Sequence, residues 1–136
     1  MTCLDTTVLV DLLRSKQNPH RRVAEIRMKA LWQAGEFLFT TRINVAEILV
    51  GAHRAANPAI EQSRINRLLQ PLTILELDER SAEQFAMIKA NALRMSRPVG
   101  DADMLIGAIT QVNNCSLLTR NPRHFQDVIG LRVESY

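Results

Sequence analysis

The sequence predicts an α/β fold, a central parallel sheet with helices on both faces. Three observations carry this. Short apolar runs at 2–5, 37–40, 73–77, 116–119 and 131–134 are bounded like strands. Longer stretches at helical spacing stand between them, and parallel strands need such crossovers. The 136 residues are 46% hydrophobic, enough to fill a core covered on both faces.

The elements follow in order. TCLD (2–5) reads as a buried strand, and TTVLVDLLR (6–14) carries apolar positions at 8, 9, 12 and 13. Asp5 therefore lies where strand hands over to helix. Residues 20–34 predict a second helix with Val23, Ile26, Ala30 and Leu31 on its apolar face, ended by Gly35. FLFT (37–40) is a strand, and 43–56 a helix. Asn57-Pro58 breaks the chain before a further helix at 59–70. After Pro71 come a strand at 73–77 and a long helix at 79–96. Asp78 caps that helix, and Ala82, Phe85, Ile88, Ala92 and Met95 form its stripe. Pro98 and Gly100 punctuate. The next helix, at about 102–113, has Leu105, Ile106, Ala108, Ile109 and Val112 on its buried side. Strands at 116–119 and 131–134 complete the pattern. No repeat, low-complexity segment or linker divides the chain, so one domain is expected over 1–136.

Composition narrows the function classes. Aromatics are 4%, too few for a base-stacking platform. The net charge is +3, and Lys occurs only at 16, 29 and 89, so most of the positive charge is Arg, whose planar fork suits phosphate. Cys3 and Cys115 lie far apart and His20, His53 and His124 are scattered, so no zinc spacing exists and both thiols are expected reduced. Asp5 and Asp11 interrupt the only apolar stretch near the start, which argues against a signal peptide. A soluble cytoplasmic protein with no membrane segment is expected.

Ligands of open parallel sheets gather beyond the carboxyl ends of the strands. Asp5 ends the first strand, Glu47 lies one turn into the helix after the second, Asp101 and Asp103 open a late helix, and Asn121 follows SLLT. Each has a plain structural role available: a cap, a dipole charge, a turn. Glu47 differs in being a lone charge amid apolar residues 45, 46, 48, 49 and 50. Taken together, the acids call for a cation, because two charges about 4 Å apart repel by about 4 kcal/mol at an effective dielectric of about 20. Oxygen donors without His or Cys select Mg²⁺ or Mn²⁺. Such ions activate water and stabilise phosphoryl charge, which implies phosphodiester hydrolysis.

The segments LDTTVLVDLLR (4–14), NVAEILVGA (44–52), DMLIGAITQ (103–111) and LLTRNPRHFQDVIGLRV (117–133) resemble, in order and spacing, the signature blocks of PIN domains. Their order and spacing also resemble the VapC-type toxins of bacterial toxin–antitoxin pairs, and the similarity covers nearly the whole chain. It implies a PIN-like three-layer α/β/α fold and a Mg²⁺- or Mn²⁺-dependent endoribonuclease. It also implies an RNA substrate, a homodimer and a cognate antitoxin. By position, Asp5, Glu47 and Asp103 match the catalytic and metal-binding acids. Asn121 falls on the fourth acidic position. Thr6, Thr119 and Asp101 are accessory residues, and Arg120 is a substrate-binding candidate. Thr7 stands where the family usually has Asn, and Asn44 where it usually has Thr or Ser. Asp101 and Asp103 point about 200° apart on a helix, so Asp103 is assigned as ligand and Asp101 as cap.

Two other readings fit the same fold class. A phosphoacceptor receiver domain would use Asp78 as acceptor, but Thr6 and Thr7 follow Asp5 where an acidic pair is needed, and Arg120 and Asn121 stand where a Lys is needed. A non-catalytic RNA- or partner-binding module would not need the three acids that are present.

Overall fold

The computed structural model describes residues 1–97 and 100–136. Pro98, one of the two breaks expected ahead of the last helix, lies outside the described residues. Among the described residues five strands form one parallel sheet: β1 (Thr2–Leu4), β2 (Leu38–Thr41), β3 (Thr73–Leu75), β4 (Ser116–Leu118) and β5 (Val133–Glu134). Their order is β3-β2-β1-β4-β5, which puts the first strand at the centre. Among the described residues six α-helices connect them: α1 (Thr6–Leu13), α2 (Pro19–Gln33), α3 (Arg42–Arg54), α4 (Pro58–Leu69), α5 (Glu79–Arg94) and α6 (Asp101–Val112).

The pleat sorts the central residues into two layers of core. Cys3 pairs in register with Leu117, and Leu4 with Leu118. Successive side chains point to opposite faces. Leu4 and Leu118 accordingly join Val8 and Leu9 of α1, Met28 of α2, Ile48 of α3 and Ile65 of α4. Cys3 and Leu117 join Ile106 of α6 and Phe125 on the other face. Helices α5 and α6 pack together there through Ile88, Ala92, Met104 and Ala108. The result is the expected three-layer α/β/α arrangement.

Local chemistry explains the boundaries. Asn18 and Asn57 cap α2 and α4, each followed by Pro at the first helical position, where a missing N–H costs nothing. Asp78 and Ser81 form a reciprocal capping box on α5. Gly35, at φ +73°, ends α2 in the left-handed region, and the Glu36 N–H returns to the Leu31 carbonyl at 3.0 Å.

Two helical faces differ from expectation. In α2 the core residues are Ala24, Met28 and Leu31, whereas Val23 and Ile26 are exposed. The face is turned because Leu31 belongs to both possible stripes and the sheet selects the one with the smaller and more flexible residues. In α5 Ile88 and Ala92 are buried, Ala82 and Met95 are exposed, and Ser81 is buried in its capping box. Leu105 and Val112 of α6 are only partly buried. Both cysteines are buried and free. Among the described residues, no helix is long and apolar enough to cross a membrane.

Candidate active site

Asp5 follows the central strand, and its backbone serves sheet and helix together. Its N–H donates to the Leu118 carbonyl at 3.0 Å, continuing the β1–β4 ladder, and its carbonyl starts α1 by accepting from Val8. The carboxylate is 4% exposed. Two hydroxyls donate to the same oxygen, Oδ2: Thr119 at 2.7 Å and Thr7 at 2.8 Å. Each hydroxyl has one proton, so both are spent on Asp5 and the 3.3 Å between them is a contact. Each hydroxyl oxygen also accepts a backbone N–H from the chain after β4, Arg120 to Thr7 at 3.0 Å and Asn121 to Thr119 at 3.0 Å. Oδ1 receives only a long 3.4 Å approach from Asn44.

Glu47 projects from α3 onto Thr6, whose hydroxyl donates to Oε1 at 2.6 Å. That hydroxyl accepts from the Asn44 amide at 2.9 Å. Asn44 is fully buried, and its carbonyl oxygen takes both the Thr41 N–H and hydroxyl, so its amide nitrogen is fixed towards Thr6 and Asp5. Burial pushes the Glu47 carboxyl up, Thr6 opposes the rise, and the charges of Asp5 and Asp103 add to it. Much of the Glu47 surface is open to water, so these effects are screened.

Asp103 lies in the first turn of α6, on the side of the Gly100 N-cap. Burial pushes its carboxyl up as well; His124 offsets this and Asp5 adds to it. His124 Nδ1 stands 3.4 Å from Asp103 Oδ2. Sequence reasoning assigned His124 no role; its signal lies in the PRHF segment, where Phe125 anchors a 3-10 turn in the core and sets the exposed His beside it at the sheet edge.

The remaining candidates fall into place around these. Asp101 was expected to cap α6, and this is corrected: Gly100 is the N-cap and no side chain caps it. Asp101 reaches Lys89 of α5 at 2.8 Å instead, away from Asp103. Asn121 is exposed, and its side chain meets no partner among the described residues. Arg120 directs Nε to Asp11 at 3.3 Å. Asp78 spends its carboxylate on the Ser81 N–H and hydroxyl, each at 2.9 Å, and is not presented as a phosphoacceptor.

The oxygens left over are Glu47 Oε2, Asp103 Oδ1 and the loosely held Asp5 Oδ1. They are hard oxygen donors, a set suited to a hard divalent cation. As the side chains stand, no three acids, histidines or cysteines among the described residues close around one point. The donor chemistry fits such an ion, and the spacing leaves it to be drawn together.

The sequence profile of the PIN domain matches residues 2–131. This chain belongs to the PIN-domain family. Ribonuclease VapC2 of Haemophilus influenzae is 30% identical to it over 133 residues, covering 98% of this chain and 96% of the relative. In fold, this PIN domain matches VapBC2 from Rickettsia felis bound to a DNA fragment from their promoter, with a TM-score of 0.88 at 19% identity, over 99% and 98% of the two chains. It also matches a toxin-antitoxin complex from Klebsiella pneumoniae, with a TM-score of 0.70 at 25% identity, over 96% and 95%. The two departures of this PIN domain, Thr7 and Asn44, now read together. The Thr7 hydroxyl donates to Asp5 Oδ2 at 2.8 Å and the Asn44 amide approaches Oδ1 at 3.4 Å, so the carboxylate has a donor at each oxygen.

Proposed function

We propose that this PIN domain is a metal-dependent endoribonuclease and the toxin of a toxin–antitoxin pair, with Asp5, Glu47 and Asp103 as its metal-binding and catalytic acids. The observation that carries the reading is that carboxylates from three separate elements stand at one sheet edge, where burial first and then the charge of Asp5 push the Glu47 and Asp103 carboxyls up, each acid with an oxygen left over. The kinship with Ribonuclease VapC2 supports the same chemistry. Mg²⁺ or Mn²⁺, when bound, supplies a nucleophilic water and neutralises charge on the phosphoryl group.

The residues divide the work. Asp5 is the fixed ligand, because Thr7 and Thr119 hold Oδ2 from two elements. Glu47 and Asp103 are the adjustable ones, held by single contacts from Thr6 and His124. Both have raised proton affinity, so Glu47 Oε2 and Asp103 Oδ1 are the atoms suited to accept a proton from water. In this reading Asn121 holds a water for the acids, and Arg120 approaches the RNA backbone.

The partners follow from surfaces next to the site. A groove of about 340 Å³ between α1, α3 and α4 is walled by Val10, Leu13, Ile48, Gly51 and Ala52, with Glu47 also on its wall. An antitoxin segment seated there reaches the acids, and an inserted Arg would neutralise them. The Klebsiella pneumoniae relative is a toxin-antitoxin complex, which supports such a partner. Val50 and Ile60, each 57% exposed on α3 and α4, offer apolar surface for self-association. Cleavage of a mixed RNA pool by the purified protein tests the reading. Activity should vanish in excess chelator and return with Mg²⁺ or Mn²⁺; cleavage undiminished in chelator would falsify the mechanism.

A further inference from the structure

Asp11 is a carboxylate the mechanism above does not use. It lies one turn beyond Thr7 on α1, in the apolar run VLVDLL, and is 0% exposed. Three side chains converge on it. Arg14 donates from Nε to Oδ1 at 2.8 Å, and Tyr136, just past β5, donates its hydroxyl to Oδ2 at 2.8 Å. Arg120 brings Nε to 3.3 Å from Oδ2. The last contact is one of charge, since that buried Nε makes no hydrogen bond.

A buried ion pair needs one cation per anion, and a second one is surplus. Here one buried carboxylate faces two guanidiniums, whose side chains are 37% and 29% exposed. Both turn Nε inward, and their Nη atoms meet no acceptor among the described residues. Two forks, fixed at the root and open at the tip, with one positive charge in excess, form a receptor for a phosphate. Its position is set by the Arg120 backbone, which bonds Thr7, which in turn bonds Asp5.

We propose that Asp11 is a positioning residue that mounts Arg14 and Arg120 as a two-armed seat for a backbone phosphate of the RNA strand, neighbouring the phosphate that is cut. The proposal rests on the ribonuclease reading for its substrate. Tyr136 donates to the oxygen that Arg120 also faces and, being neutral, leaves the carboxylate's charge to the two arginines.

The test is binding of a single-stranded RNA in chelator across a salt series, beside cleavage kinetics in Mg²⁺. Arg14→Ala and Arg120→Ala should each flatten the salt dependence by about 0.7 in log–log slope, one phosphate contact on a single strand. Asp11→Asn should weaken binding about tenfold. In cleavage that loss should appear in KM, with kcat moving less than about twofold. Adding Arg14→Ala and Arg120→Ala together to Asp11→Asn should cost less than the separate effects combined, because the three act as one unit. Tyr136→Phe, which keeps the ring and the charges, should give a smaller loss in the same direction and serves if Asp11→Asn fails to fold. Unchanged salt slopes in both arginine variants would overturn the seat. So would Asp11→Asn or Tyr136→Phe lowering thermal stability while leaving KM untouched, which marks a fold staple. Wild-type protein that binds RNA in chelator with these slopes but never cuts it would sink the nuclease reading and leave the seat standing.

Discussion

Replacing Thr119 by Val tests the network around Asp5 without changing its shape. Thr119 is fully buried, and its hydroxyl does two things at once: it donates to Asp5 Oδ2 at 2.7 Å and accepts the Asn121 N–H at 3.0 Å. Valine fills the same volume and does neither. A hydrogen bond to a charged group contributes about 1.5 to 3 kcal/mol, and a stranded buried donor costs about 1 to 3 kcal/mol. Thr7 still serves the same carboxylate oxygen and the chain at Asn121 has room to reach water, so a net loss of about 2 to 4 kcal/mol is expected. At about 2.1 cal/mol/K per residue of unfolding entropy, that lowers Tm by about 7 to 14 °C for a chain of this length. Melting is measured in chelator, where no ion compensates. RNA cleavage in Mg²⁺ should fall alongside, because Asp5 and the segment carrying Arg120 and Asn121 lose their common anchor. Thr119→Ser keeps the hydroxyl and should restore most of the cleavage. A Thr119→Val protein that melts and cuts like the wild type would refute the view that this hydroxyl secures Asp5.

Three further outcomes follow from the geometry. Glu47 and Asp103 bind protons more tightly folded than unfolded, so metal-free stability should fall as pH rises from the ordinary carboxylate range through their raised values, while cleavage rises over the same interval. By the same sign, Asp103→Asn and Glu47→Gln should raise Tm in chelator and abolish cleavage, and either variant melting lower than wild type at neutral pH would contradict the repulsion. Asp101→Ala removes an exposed pair with Lys89, so it should cost under about 1 kcal/mol in denaturant melts and leave most RNA cleavage intact. Gly107→Ala places a methyl 3.0 Å from both Val128 methyls; overpacking of about 1 to 3 kcal/mol should exceed the helical gain of about 1 kcal/mol, and Val128→Ala in the same protein should reverse the sign.

Strand and helix positions were legible in the sequence because period and punctuation are local signals. Asn-Pro before α4, Asp78 before α5 and Gly35 after α2 each act within one turn. The face that α2 buries was not legible. Val23 and Ile26 carry the stronger hydrophobic signal, yet packing against the sheet is a tertiary choice and it selected Ala24 and Met28. The acids were singled out by the rule that sites gather beyond strand ends, and by Glu47 standing alone among apolar residues. Their partners were not. His124 meets Asp103 only once Phe125 docks, and Asp11 meets Tyr136 across 125 residues of sequence. Asp101 looked like a cap because acids favour that position, and Lys89 on the neighbouring helix competed for it successfully.

Asp5 is the last rung of the central ladder, with its amide on Leu118, and the Thr40 hydroxyl holds the Leu4 carbonyl just before it at 2.9 Å. Its amide proton is therefore expected to exchange slowly, with the opening of the β1–β4 ladder. Amides at the start of α6, whose cap has no side-chain bond, open far more cheaply. One half of the acid cluster is thus as durable as the protein itself, and the other half answers to small local motions. An inhibitor that leaves the protein folded can therefore shift Glu47 or Asp103, but it has to take Asp5 where the sheet holds it.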